Sequence, residues 1–165
     1  MASSETLKDD RDQVVKQPNS NYCFVCGVKN ESGLGMKFYE HGPGEVTATF
    51  EVPQHYQGYP GVVHGGIIAA MLDEVAGRAA MTGKHEQFRY SAKLEIKYRK
   101  PAPTGEPLLV HGWVVEERGS RALAKADLRL EDGTLLSEAE ALLVNLPDSV
   151  DEDQLNELGW RVYPD

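Results

Sequence analysis

The sequence predicts an α+β fold, one long helix packed on one antiparallel sheet. Three observations carry this. Residues 65–82 hold the one long helical periodicity in the domain. A strand pattern precedes it at 45–52. Four more strand patterns follow it, joined by short turns, which favours antiparallel neighbours. The chain has 165 residues, 41% hydrophobic and 26% charged, which suits one domain with a real core plus tails.

The elements read in order. Residues 1–20 are polar and mixed in charge, and are expected to be a disordered tail. Residues 21–35 carry Tyr22, Phe24 and Leu34 and read as an ordered lead-in to a domain ending at 146. In 45–52, Val46, Ala48, Phe50 and Val52 share one face. Residues 53–60 form a loop holding His55, Tyr56, Gln57 and Tyr59. Gly83 stands where the long helix should stop. In 93–100, Leu94, Ile96 and Tyr98 point one way, and Lys93, Glu95, Lys97 and Arg99 the other. The same alternation puts Ser91 on the polar side. Residues 108–116 and 122–130 flank a turn at 117–120, and Asp132-Gly133 turns the chain into 135–144. The acidic segment 147–165, with Leu155, Leu158 and Trp160, reads as a short helix capped by Asp148 or Ser149.

Composition excludes some classes. No apolar stretch is long enough to span a bilayer. The N-terminal residues lack the apolar core of a secretory signal, so a cytoplasmic location is expected. A net charge of -9 argues against nucleic acid as a main partner, although a local basic cluster can still hold an anion. Cys23 and Cys26 have C-x-x-C spacing but no second ligand pair, and His41 stands alone. No thioredoxin-like pattern surrounds them. Buried structural thiols are therefore favoured over metal or redox chemistry, and no metal is expected.

The helix is unusual on both faces. At about 100° per residue, Ile67, Ile68, Met71, Leu72, Val75 and Ala79 make an apolar stripe. Gly66, Ala69, Ala70, Asp73, Gly77 and Ala80 lie opposite, all small except Asp73. A small-residue face lets something come close, and a carboxylate placed there suits general-base or nucleophile work. Glu74 is its rival, about 100° round the helix. The helix starts at His64-Gly65-Gly66. Free backbone N–H groups at such an end can polarise a carbonyl. His64 reads either as an added donor or as a capping histidine. Gly65 and Asp73 are separated by about 12 Å of helix axis, too far to act together on one carbonyl. An antiparallel second copy would supply the missing partner, so a homodimer with two equivalent sites is expected.

These residues resemble the PaaI-like branch of the hotdog thioesterases, the superfamily that includes 4-hydroxybenzoyl-CoA thioesterase. The resemblance rests on Cys23-Phe-Val-Cys-Gly-Val-Lys-Asn-Glu-Ser-Gly-Leu, on Gly61-Val-Val-His-Gly-Gly with Asp73 nine residues after the histidine, and on Leu94-Glu-Ile-Lys-Tyr-Arg-Lys-Pro. It implies a hotdog, a long helix wrapped by a curved antiparallel sheet, in dimers that often pair into tetramers. It implies acyl-CoA hydrolysis without a metal or cofactor, coenzyme A being part of the substrate. The Gly65 amide would polarise the carbonyl beside His64. Asp73 of the other subunit would be base or nucleophile, and Ser91 would position water. Gly66 would line the substrate site. Relatives often carry Asn or Gln six residues before the histidine, where this chain has Gly58; Gln57 is the substitute. Arg99, Lys100, Arg118, Ser120 and Arg121 are candidates for the phosphates of coenzyme A. The competing readings are a non-catalytic acyl-CoA binder and a hotdog dehydratase or hydratase, and this helix lacks the catalytic histidine of the latter.

Overall fold

A computed structural model describes residues 14–147 and 150–165. The strands are β1 (Val15–Lys16), β2 (Tyr39–Glu40), β3 (Glu45–Glu51), β4 (Arg89–Tyr98), β5 (Pro107–Arg118), β6 (Arg121–Leu130) and β7 (Leu135–Asn145). The helices are α1 (Gly65–Ala79) and α2 (Glu152–Leu158). The strands form one antiparallel sheet in the order β1-β2-β3-β5-β6-β7-β4. α1 lies across one face and touches β3 to β7. This is the hotdog arrangement the sequence predicts. Among the described residues, no helix is long and apolar enough to cross a membrane.

The apolar stripe packs as expected. Met71, Leu72 and Val75 are fully buried, and Ile68 and Ala79 nearly so. Burying each large side chain contributes roughly 1.5–3 kcal/mol. The sheet meets them with small residues, Ala122, Ala124 and Ala126 on β6 and Ala139 and Ala141 on β7. That choice lets the helix sit close to the strands. Gly112 on β5 goes further. A Cβ there would stand 2.4 Å from the Val75 carbonyl oxygen, so the strand touches the helix backbone itself.

Three boundaries differ from expectation. α1 ends at Ala79, with Ala80 as its C-cap, and the chain turns before Gly83. Ala80 is buried, so it belongs to the covered side of the helix and not to the small open face. The ordered fold begins before residue 21: β1 lies within the expected tail, and Gln17, Asn19 and Ser20 are buried. These polar residues stay inside because they serve the backbone. Gln17 donates to the Arg78 carbonyl, and Asn19 to the carbonyls of Cys26 and Met36. The expected tail at residues 1–13 lies outside the described residues, as do Asp148 and Ser149. The N-cap of α2 is Asp151, which forms a reciprocal capping box with Gln154.

Candidate active site

The N-terminus of α1 opens onto a cleft of about 480 Å³. His64 is the N-cap, and its Nδ1 accepts from the Gly66 amide at 2.9 Å. Nδ1 is therefore unprotonated, and the neutral ring carries its hydrogen on Nε2. The capping reading of His64 is realised. The Gly66 amide is occupied by that bond. The Gly65 amide has no acceptor among the described residues, and it faces the cleft as the free donor. Tyr98 on β4 donates its hydroxyl to the Gly65 carbonyl at 2.8 Å. Tyr98 was legible as an inward-facing strand residue, but its reach to the helix end was not.

Other expected residues divide around this cleft. Lys100 lines it and has no carboxylate partner among the described residues. Arg99 also lines it, but its guanidinium pairs with Glu138 at 2.8 Å, and that hydrogen bond holds the Glu138 carboxyl below its ordinary range. Gly58 lines the cleft, while Gln57 does not. The Gln57 side chain instead accepts from the Gly61 amide at 3.1 Å and closes the loop.

The acid sits two turns further along α1. Asp73 is half-buried and lines a second pocket of about 320 Å³ with Gly77, Phe88, Ser91 and Trp160. Ser91 donates its hydroxyl to Asp73 Oδ1. This corrects the strand parity. The register of β4 against β7 slips between Ser91 and Lys93, where Ser91 faces Leu143 and Lys93 faces Leu142. The bulge adds one residue, Ala92, so Ser91 turns from the polar side to the helix.

Glu74 has a different role. Its Oε1 accepts from Arg78 Nε at 2.9 Å, and its Oε2 lies 4.0 Å from Cys23 Sγ. Glu74 lines the same pocket, but both its oxygens have partners, whereas Asp73 Oδ2 has none among the described residues. Arg78 is 2% exposed. Its guanidinium lies over the rings of Phe38 at 4.7 Å and Trp160 at 5.0 Å. A buried arginine inside the apolar stripe gave no periodic signal.

Cys26 is buried and Cys23 half-buried, as expected of structural thiols, and both are free. The hydrogen bond between the two thiols pushes Cys23 up, with burial and the Glu74 charge adding to it. The same bond holds Cys26 down. The third group in this cluster is Glu74, 51 positions from Cys23, which no local spacing reveals. His41 lies elsewhere, bonded to Thr47.

Arg118, Ser120 and Arg121 are not near Lys100. Arg118 pairs with Glu116, the Ser120 carbonyl accepts from the Asn145 amide, and Arg121 stands opposite Val144. Val144 and Asn145 are the partners of Tyr90 and Arg89. The hairpin therefore belongs to the Asp73 end of the sheet, and one chain brings together only half of the candidate residues at either end.

The chain is similar to known proteins over most of its described domain. The model of the thioesterase superfamily matches residues 60–137. The acyl-coenzyme A thioesterase THEM4 of Mus musculus is 32% identical over 120 residues, covering 70% of this chain and 51% of its own. The chain thus spans about half the length of that relative. Among solved structures, the thioesterase superfamily protein RHA08564 is 33% identical with a TM-score of 0.68, over 75% of this chain and 63% of that one. The PaaI protein of E. coli is 13% identical with a TM-score of 0.63, over 70% of this chain and 83% of that one. The fold, the matched segment and these relatives agree: the chain has the hotdog fold and is similar to the thioesterase superfamily over residues 60–137.

Proposed function

We propose that this chain is an acyl-CoA thioesterase whose sites form between two copies. The observation that carries the proposal is the pairing of a free Gly65 amide at one end of α1 with a serine-bonded Asp73 about 12 Å further on. A single copy holds two halves of a site facing different pockets. β4 is one edge strand of the sheet, with Ser91 near its start and Tyr98 at its end. Antiparallel pairing of two β4 edges would bring the Asp73–Ser91 half of one copy to the Gly65–Tyr98 half of the other. It would also bring Arg118, Ser120 and Arg121 of one copy towards Lys100 of the other, where an anionic nucleotide needs cations. Two such dimers pairing through other faces would make a tetramer.

The chemistry follows from those positions. The thioester carbonyl accepts from Gly65 N–H, with the positive end of the helix dipole behind it. His64 presents Nε2–H beside it. Asp73 of the partner subunit, held by Ser91 Oγ, either takes a proton from water as that water attacks, or attacks the carbonyl itself to form an anhydride that water then hydrolyses. In both, the C–S bond breaks and the CoA sulfur leaves with a proton that came from water. The products are a free acid and coenzyme A. THEM4 is named for this activity, which supports the substrate class.

The test is thiol release from acyl-CoA substrates of short, medium, long and aryl chains. Release by the wild type and its loss in Asp73→Asn are expected. Binding of coenzyme A with no turnover anywhere in the panel would sink the enzyme reading. Shared sites have their own test. Gly65→Pro deletes one N–H, and proline is tolerated at the first helical position. His64, at φ -61° and ψ 136°, already has the extended backbone that a following proline requires. Gly65→Pro should lose roughly 100–1,000-fold in kcat as an oxyanion donor disappears. Mixing and refolding it with Asp73→Asn should restore about a quarter of wild-type activity, because half the random dimers carry one intact site. No recovery on mixing would place both groups in one subunit.

A further inference from the structure

We propose that Cys23, Cys26 and Glu74 form a binding site for one thiophilic divalent cation, zinc by preference, which fastens the lead-in loop to α1 beside Asp73. The three ligand atoms lie within 4.8 Å of one another. A tetrahedral zinc with bonds of about 2.3 Å to sulfur and 2.0–2.2 Å to oxygen needs ligand separations of about 3.6–3.8 Å. The 4.0 Å from Cys23 Sγ to Glu74 Oε2 is within a few tenths of that.

The loop is built as a metal turn would be. The Cys26 amide donates to Cys23 Sγ at 3.5 Å. The Gly27 amide closes the turn on the Cys23 carbonyl at 2.8 Å. A Cβ on Gly27 would lie 2.4 Å from that carbonyl oxygen, so the turn admits only glycine. Ser20 Oγ stands 3.6 Å from Cys26 Sγ and accepts from the Cys23 amide at 3.2 Å, fixing both thiols from the other side.

The charges also balance. Two thiolates and a carboxylate around a dication leave one negative charge, and the buried Arg78 guanidinium cancels it. Arg78 binds the Glu74 oxygen that faces away from Cys23, as outer-shell partners of ligating carboxylates do. Thiolate and carboxylate together suit zinc better than the hard cations calcium or magnesium. Cys23 is half-buried, which leaves solvent access for a water as fourth ligand.

The test is an anaerobic titration of the reduced, chelator-treated full chain with Co²⁺ and then Zn²⁺. One equivalent of Co²⁺ should raise thiolate-to-metal charge-transfer absorption, and Zn²⁺ should erase it. Cys23→Ser and Cys26→Ser should each abolish the band. Glu74→Gln keeps an acceptor for Arg78, and should weaken Co²⁺ by more than the roughly 10–100-fold typical of losing an outer-shell partner. Asp73→Asn should bind Co²⁺ like the wild type. CoA release does not enter the readout, so the metal site and the thioesterase reading fail separately. Absence of the band in folded wild-type protein, its survival in both serine variants, or a Cys23–Cys26 disulfide that forms in air despite excess Zn²⁺ would overturn the proposal.

Discussion

At the scale of single residues, strand and helix approach each other closely at Gly112. A methyl group there would press into the Val75 carbonyl at 2.4 Å, and neither the strand nor the helix backbone can yield without moving the other. Gly112→Ala is therefore expected to destabilise the fold by roughly 1–3 kcal/mol, the cost of overpacking a tight core. A thermal melt checks this; an unchanged midpoint would show that β5 can back away from α1. The adjacent acids Asp73 and Glu74 show a second lesson at this scale. Their order along the helix does not distinguish them, but their partners do. Glu74 is held by Arg78, and among the described residues Asp73 receives only the hydroxyl of Ser91.

At the scale of elements, much was legible. Alternation marked β3 and β4, turn residues marked β5 to β7, and the 3.6-residue stripe marked α1. What escaped was wherever a local period breaks or a distant group intervenes. One extra residue at Ala92 reversed the facing of Ser91, since a period of two cannot survive an insertion of one. Gln17 and Asn19 looked like tail residues because the carbonyls that bury them lie 61 and 17 positions away, beyond any local period. Deleting Ala92 should turn Ser91 away from the helix. Ser91→Ala and the Ala92 deletion should then lower kcat/KM for CoA release alike, by roughly 10- to 100-fold. That is the equivalent of the ~1.5–3 kcal/mol carried by a hydrogen bond to a charged group. Full activity in a folded deletion variant would show that the Ser91 contact is dispensable.

At the scale of the whole molecule, the two ends of the described chain hold each other. Asn19 and Arg161 exchange backbone hydrogen bonds, and the Asn21 amide reaches the Leu158 carbonyl. Lys16 Nζ binds Asp165 at 2.6 Å, and the Tyr39 hydroxyl donates to the same carboxylate. The Lys16 bond first, then Tyr39, lowers the Asp165 carboxyl from its ordinary 3.8 to about 2. A depressed acid contributes its stabilising effect above 3.8 and loses it as pH falls through about 2. Carboxyl NMR should find that midpoint, and Lys16→Ala should raise it towards 3.8; a midpoint unmoved by the substitution would mean that Lys16 is not the cause. A fold in which residue 16 meets residue 165 is nearly a closed ring. Its strands would keep their places if the ring were cut at an exposed hairpin and sealed where Lys16 meets Asp165. The order in which the segments are written is then a convention of the gene, and their neighbours in space are what the fold preserves.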